Sequence, residues 1–115
     1  KEDSFFITWL DGRNTSGGMH DGNQTGGAMN IRTATILANG EIIDDTLVDG
    51  KTCDCCQTSA AITPNGPIIV YRNRTDDEVR DIYISRLVDN KWTEPKSIHN
   101  DNWEIKGCPV NGPKA

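Results

Sequence analysis

Residues 67–98, PIIVYRNRTDDEVRDIYISRLVDNKWTEPKSI, decide the fold. The stretch opens on a β-branched and aromatic run (67–72) and breaks into the polar loop RNRTDDEVRD. It resumes in a second run (81–88), turns at Asp89-Asn90 and closes in a third (92–98). Such runs fit a half-buried pleated surface, and Asp and Asn tolerate the positive φ of tight turns, so the stretch reads as an antiparallel meander. Nowhere in the chain do apolar residues fall at i, i+3, i+4 and i+7 over three turns, which excludes helix as the main element.

Outward from this segment the same grammar continues. Further strands are expected at 4–10, 29–37, 41–48 and 57–63, with Asn-Gly turns at 39–40 and 65–66. The order then repeats. FFITWLDGRN corresponds to PIIVYRNR, NIRTATILANGEI to DIYISRLVDNKWT, and CCQTSA to GCPVNG, with Cys56 and Cys108 offset by 52 residues. Units of roughly 40–50 residues carrying four antiparallel strands are the pattern of propeller blades. The expected fold is therefore all-β. Blade one covers about 4–48, blade two about 57–98, and a further inner strand starts at about 107–115.

Composition narrows the function classes. The chain has 115 residues, 35% of them hydrophobic, enough for one domain with a thin core. Twelve basic against seventeen acidic residues give a net charge of −5, which argues against a nucleic-acid partner. Apolar runs such as PIIVY at 67–71 fall far short of the roughly 20 residues that span a bilayer, so no membrane partner is expected.

From about residue 4 to residue 113 the chain resembles bacterial sialidase-like, BNR-type β-propeller proteins. The segments that carry the likeness are WLDGRN, GAMNIR, CDCCQTSAA, VYRNRTDDEVRDIYISR, WTEPKSIH and GCPVNGP. A degraded Asp-box turn stands at Ser85, Asp89, Trp92 and Thr93, one residue too wide and without its glycine. The resemblance implies a six-bladed ring, of which this chain supplies about two blades. The ring would be completed by a trimer or by the remainder of a longer chain. It also implies a periplasmic or secreted location, a carbohydrate or small anionic ligand, and no cofactor.

In such a ring the loops at 11–30 and 72–81 and the connections at 49–56 and 100–112 emerge on one face. Arg13, Arg72, Arg74 and Arg80 are the expected ligand-binding residues, since a guanidinium fork grips a carboxylate and sialidases hold the sialate carboxylate with arginines. The competing expectation is that they pair internally with Asp76, Asp77, Glu78 and Asp81 to brace the loop. Asp76 and Asp81 are the catalytic candidates. Tyr71 and Tyr83 lie on strands and read as packing residues, and no Arg-Ile-Pro segment is present, so a complete glycosidase set cannot be assembled. The expected function is a glycan- or anion-binding module without turnover. The alternatives are an exo-sialidase or related glycoside hydrolase completed by other blades, and a thiolate module for copper or zinc.

TCDCCQTS, residues 52–59, concentrates three of the four cysteines. Cys53, Cys55, Cys56 and Cys108 leave three uses open: a disulfide-fastened loop, packing thiols, or a metal site. The metal set would draw on Cys53, Cys56, Cys108 and His20, with Met19 and Met29 as soft donors to copper(I).

Overall fold

The computed structural model describes residues 3–15 and 28–115; Met19 and His20 lie outside the described residues. The described residues are all-β, with eight strands in chain order: β1 (Ser4–Asp11), β2 (Asn30–Leu37), β3 (Ile42–Asp49), β4 (Ser59–Thr63), β5 (Gly66–Arg72), β6 (Ile82–Val88), β7 (Lys91–Trp92) and β8 (Lys96–Ser97). They form two antiparallel sheets. One is β1-β2-β3 and the other runs β4-β5-β6-β7, with β8 also on β6.

The turns follow the residues that permit them. Gly40 (φ 87°) closes β2 on β3, Gly66 (φ 106°) opens β5, and Asp89 and Asn90 (φ 51° and 65°) join β6 to β7. The expected strand at 92–98 is split in two. Pro95 stands in the gap with no amide hydrogen to offer a ladder. Ser85 and Thr93 clamp this hairpin: Ser85, fully buried, donates its hydroxyl to Thr93 O at 2.7 Å and Arg86 N donates to Thr93 Oγ1 at 3.0 Å. In the first sheet the β2–β3 register skips between Thr33 and Thr35, and Asp44 opposite takes a left-handed φ of 57°, a bulge that bends the outer strand.

One core joins the sheets. Ile31 of β2 and Ile69 and Tyr71 of β5 are fully or almost fully buried, and Phe6, Leu10, Val48, Ala60, Tyr83 and Trp92 pack around them. Phe6 and Trp92 meet across the sheets with ring centroids 5.7 Å apart. Burying each large apolar side chain here is worth about 1.5–3 kcal/mol. A polar tie runs the same way, from the Tyr71 hydroxyl to Asp49 Oδ2 at 2.6 Å. At the short-hairpin end the sheets part, leaving an open cleft of about 630 Å³ lined by Phe5, Phe6, Ile43, Ile62 and Trp92 among others.

Residues 107–115 form no strand. They run beside the start of β4, where Gly112 N donates to Gln57 Oε1 at 3.0 Å and Ala115 N to Ser59 Oγ at 3.0 Å. Pro109 and Pro113 remove two of the donors a ladder would use. A disulfide between Cys55 and Cys108 fastens this segment to the connection that leads into β4. No helix among the described residues is long and apolar enough to cross a membrane.

Candidate functional site

The far end of the second sheet gathers the chemistry. β5 ends at Arg72, and the chain after it is held by two flanking segments. On one side Thr52 bridges Asn73, and Cys53 N donates to Arg72 O at 3.0 Å. On the other side Val79 bridges Glu104, Arg80 N donates to Trp103 O at 2.8 Å, and Ile105 N donates to Glu78 O at 3.0 Å. The connections at 49–56, 72–81 and 100–112 therefore share one end.

Asp81 fixes the outermost of these segments. It is buried, and its two carboxylate oxygens accept the amide hydrogens of Asn102 and Trp103, each at 2.9 Å. Asn102 sits at a φ of 53°, a left-handed conformation that Asn tolerates better than most residues. The result is a seat for Trp103, which stays 39% exposed. The Arg72 guanidinium lies 4.8 Å from the centroid of that indole, a cation–π contact. Its donors go to Asn111 O at 2.6 Å and to Arg80 O, so among the described residues Arg72 meets neutral acceptors and no carboxylate.

The other arginines are spent differently. Arg74 and Arg80 both donate to Glu78, at 2.9 Å and 2.8 Å, and Arg74 also stands 3.6 Å from Asp54. Arg74, and after it Arg80, hold the Glu78 carboxyl below its ordinary range, and Glu78 in turn raises the Arg74 guanidinium. Glu78 carries a left-handed φ of 64°, which sets it at the turn between the two arginines. Arg13 belongs to the first sheet. It pairs with Asp11 at 2.8 Å and lies 4.0 Å from Asp45. The Arg13 side chain lowers the Asp11 carboxyl, helped by the Trp9 indole donor. The structure thus brings Arg72, Arg74 and Arg80 together, and Arg13 keeps partners of its own.

The catalytic candidates are also engaged. Asp81 is committed to backbone amides, and Asp76 is an exposed carboxylate paired with Lys51, which lowers its pKa. Tyr71 is buried, and burial followed by the neighbouring Asp49 carboxylate pushes its hydroxyl far above the ordinary tyrosine range. Such a hydroxyl stays protonated and donates.

Behind the arginines lie the cysteines. Cys53 and Cys56 are free and buried, with sulfurs 2.9 Å apart, and the sulfurs of Cys53, Cys55 and Cys56 all lie within 4.8 Å of one another. Arg80 Nη1 donates to Cys53 Sγ at 3.3 Å and Asn111 N to Cys56 Sγ at 3.5 Å. Burial pushes the Cys53 thiol up, but the Cys55 amide, the Cys56 thiol and Arg80 together outweigh it and lower the pKa. Burial and the neighbouring Cys53 raise that of Cys56.

Trp103 and its seat on Asp81 escape a reading by motif. The available signal is an aromatic residue inside the polar loop NDNWEIKG, where burial alone gives no reason for an indole. No protein-family model matches the chain, and comparison with curated proteins and with solved structures returned no match.

Proposed function

We propose that this chain is a pair of propeller blades of the sialidase-like kind, extracytoplasmic, that binds a glycan or another anionic ligand at its loop-rich end without turning it over. The observation that carries this is Trp103: an indole open to solvent, locked at its backbone by Asp81, with the Arg72 guanidinium against the ring. A flat aromatic surface suits the apolar face of a sugar ring, and the buried Arg72 beneath it, with no carboxylate partner among the described residues, places positive charge at the site that suits an acidic sugar. Fixing the loop beforehand removes ordering cost from binding.

The commitments of Asp81 to two backbone amides and of the buried Tyr71 hydroxyl to Asp49 support binding over hydrolysis. The disulfide fits an oxidising compartment. Further blades would complete the ring. Phe5 and Ile62, 73% and 70% exposed near the open cleft, are apolar surface that such neighbours would cover.

The test is titration of the purified chain with sialylated, uronic and neutral oligosaccharides, followed by nuclear magnetic resonance, alongside a fluorogenic sialoside. Binding of an acidic sugar that weakens at least tenfold in Trp103→Ala, with no fluorophore release, is the expected outcome. Turnover would move the chain to the hydrolases, and absence of binding to every acidic sugar would defeat the proposal.

A further inference from the structure

The two free cysteines stand in surroundings that a packing thiol does not need. Besides the contact of the two sulfurs with each other at 2.9 Å, the groups bonded to them are donors. Cys53 Sγ receives the Cys55 amide hydrogen and Arg80 Nη1, and Cys56 Sγ receives the Asn111 amide hydrogen, with the Arg72 charge acting on it. Donors aimed at sulfur in this way suit ligands that carry negative charge, as metal-bound thiolates do. Hydrogen bonds to sulfur from backbone amides and a nearby guanidinium are the outer shell that thiolate metal sites use to hold and tune their ion.

We propose that Cys53 and Cys56 are the ligands of a two-thiolate copper(I) site, with Cys55 and Cys108 remaining joined beside it. The chemistry of the donor set selects the ion. The disulfide takes Cys55 and Cys108 out of the ligand set, and two thiolates fall short of the four ligands that structural zinc requires. Soft sulfur ligands in low number suit copper(I).

Charge points the same way. Two thiolates and one copper(I) leave one negative charge, and Arg72 brings a positive charge that no carboxylate among the described residues pairs. Arg80 divides its donors between Glu78 and Cys53 and keeps a buried Nε with no partner. It is a positioning residue, holding Cys53 in its ligating form. Loading would move the two sulfurs apart from their 2.9 Å contact, a rotation about the two side chains. Each thiol that becomes a ligand releases its proton to solvent, and no electron is transferred.

The proposal shares Arg72 with the glycan reading and is tested apart from it, with copper alone. The full chain, purified without oxygen and with its Cys55–Cys108 bond confirmed by mass, is titrated with copper(I) against a chromophoric copper(I) chelator. One copper per chain and a thiolate-to-copper ultraviolet absorption are expected. Cys53→Ser and Cys56→Ser should each abolish both signals. Arg80→Gln should weaken binding about 10–100-fold with the stoichiometry kept. Circular dichroism of each variant verifies the fold, and the stoichiometry of the unaltered chain decides the matter even where a variant fails to fold. The proposal is overturned if the chain takes no copper, if Cys53 and Cys56 are isolated as a disulfide, or if metal binds only after Cys55–Cys108 is reduced and then as zinc on four thiolates.

Discussion

Tyr71→Phe removes one oxygen and with it the tie between the sheets. The Tyr71 hydroxyl donates to Asp49 Oδ2 at 2.6 Å, from the middle of the second sheet to the end of β3 in the first. A hydrogen bond to a charged acceptor contributes about 1.5–3 kcal/mol. Asp49 is only half-buried and keeps the Lys51 amide on its other oxygen, so water can replace the lost donor and the low end, about 1.5 kcal/mol, applies. Asp49→Ala leaves a buried hydroxyl without an acceptor and should cost about 1–3 kcal/mol. Urea unfolding of the two single variants and the double variant, with the disulfide intact, isolates the coupling. We expect about 1.5 kcal/mol, seen as a midpoint shift of roughly 1 M for a slope near 1.5 kcal/mol per M. The pH dependence adds a second signature. Because burial and Asp49 raise the folded pKa of Tyr71, its contribution is complete below the ordinary tyrosine range and is lost as pH rises through and beyond it. Tyr71→Phe should flatten that alkaline loss. A coupling below about 0.5 kcal/mol, or two separate transitions in the unaltered chain, would refute the single shared core.

Breaking Cys55–Cys108 by paired serine substitution opens a loop of 53 residues and should cost up to about 4 kcal/mol on chain-entropy grounds, read as a lower thermal midpoint that reductant alone reproduces. Glu78→Gln takes the shared partner from Arg74 and Arg80. With Glu78 about a quarter exposed, the penalty is discounted from that of a buried pair to about 1–2 kcal/mol. Since the folded pKa of Glu78 is depressed, its contribution is present above the ordinary glutamate range and lost as pH falls below it. Glu78→Gln should therefore reduce the acid sensitivity of stability between neutral pH and about pH 3, and an unchanged acid limb would contradict the pairing.

The strands were legible because their signals are local. Alternation, β-branching and Asx or glycine turns place six of the strands within two or three residues, and the one expected strand that divides does so at Pro95, where a single missing donor outweighs the pattern. The site was only half legible. The pattern brings Arg72, Arg74 and Arg80 to one end, but the direction of each guanidinium depends on residues far away in the chain, Asn111 for Arg72 and Asp54 for Arg74. The seat of Trp103 depends on Asp81, 22 residues distant, and the partner of Cys108 depends on where residues 107–115 return. None of these leaves a mark in spacing, because each is set by how loops meet after the sheets have formed.

Arg80 and Asp81 are neighbours that serve the two proposals separately. Arg80 reaches Trp103 only through its backbone amide, which any residue but proline supplies, while its side chain turns to Glu78 and Cys53. Asp81 sends both carboxylate oxygens to the 102–103 backbone and none to the sulfurs. Arg80→Lys keeps the charge but loses the fork that spans Glu78 and Cys53, so copper(I) affinity should fall roughly tenfold while acidic-sugar binding is unchanged. Asp81→Asn keeps the shape but turns an amide group toward a backbone N–H, freeing the Trp103 loop. Sugar binding should weaken and copper(I) binding should not. Titration of both variants with both ligands gives four measurements with an asymmetric pattern. If the two substitutions lower both affinities in parallel, the end of the second sheet responds as one unit and the assignment of separate roles to these adjacent side chains fails.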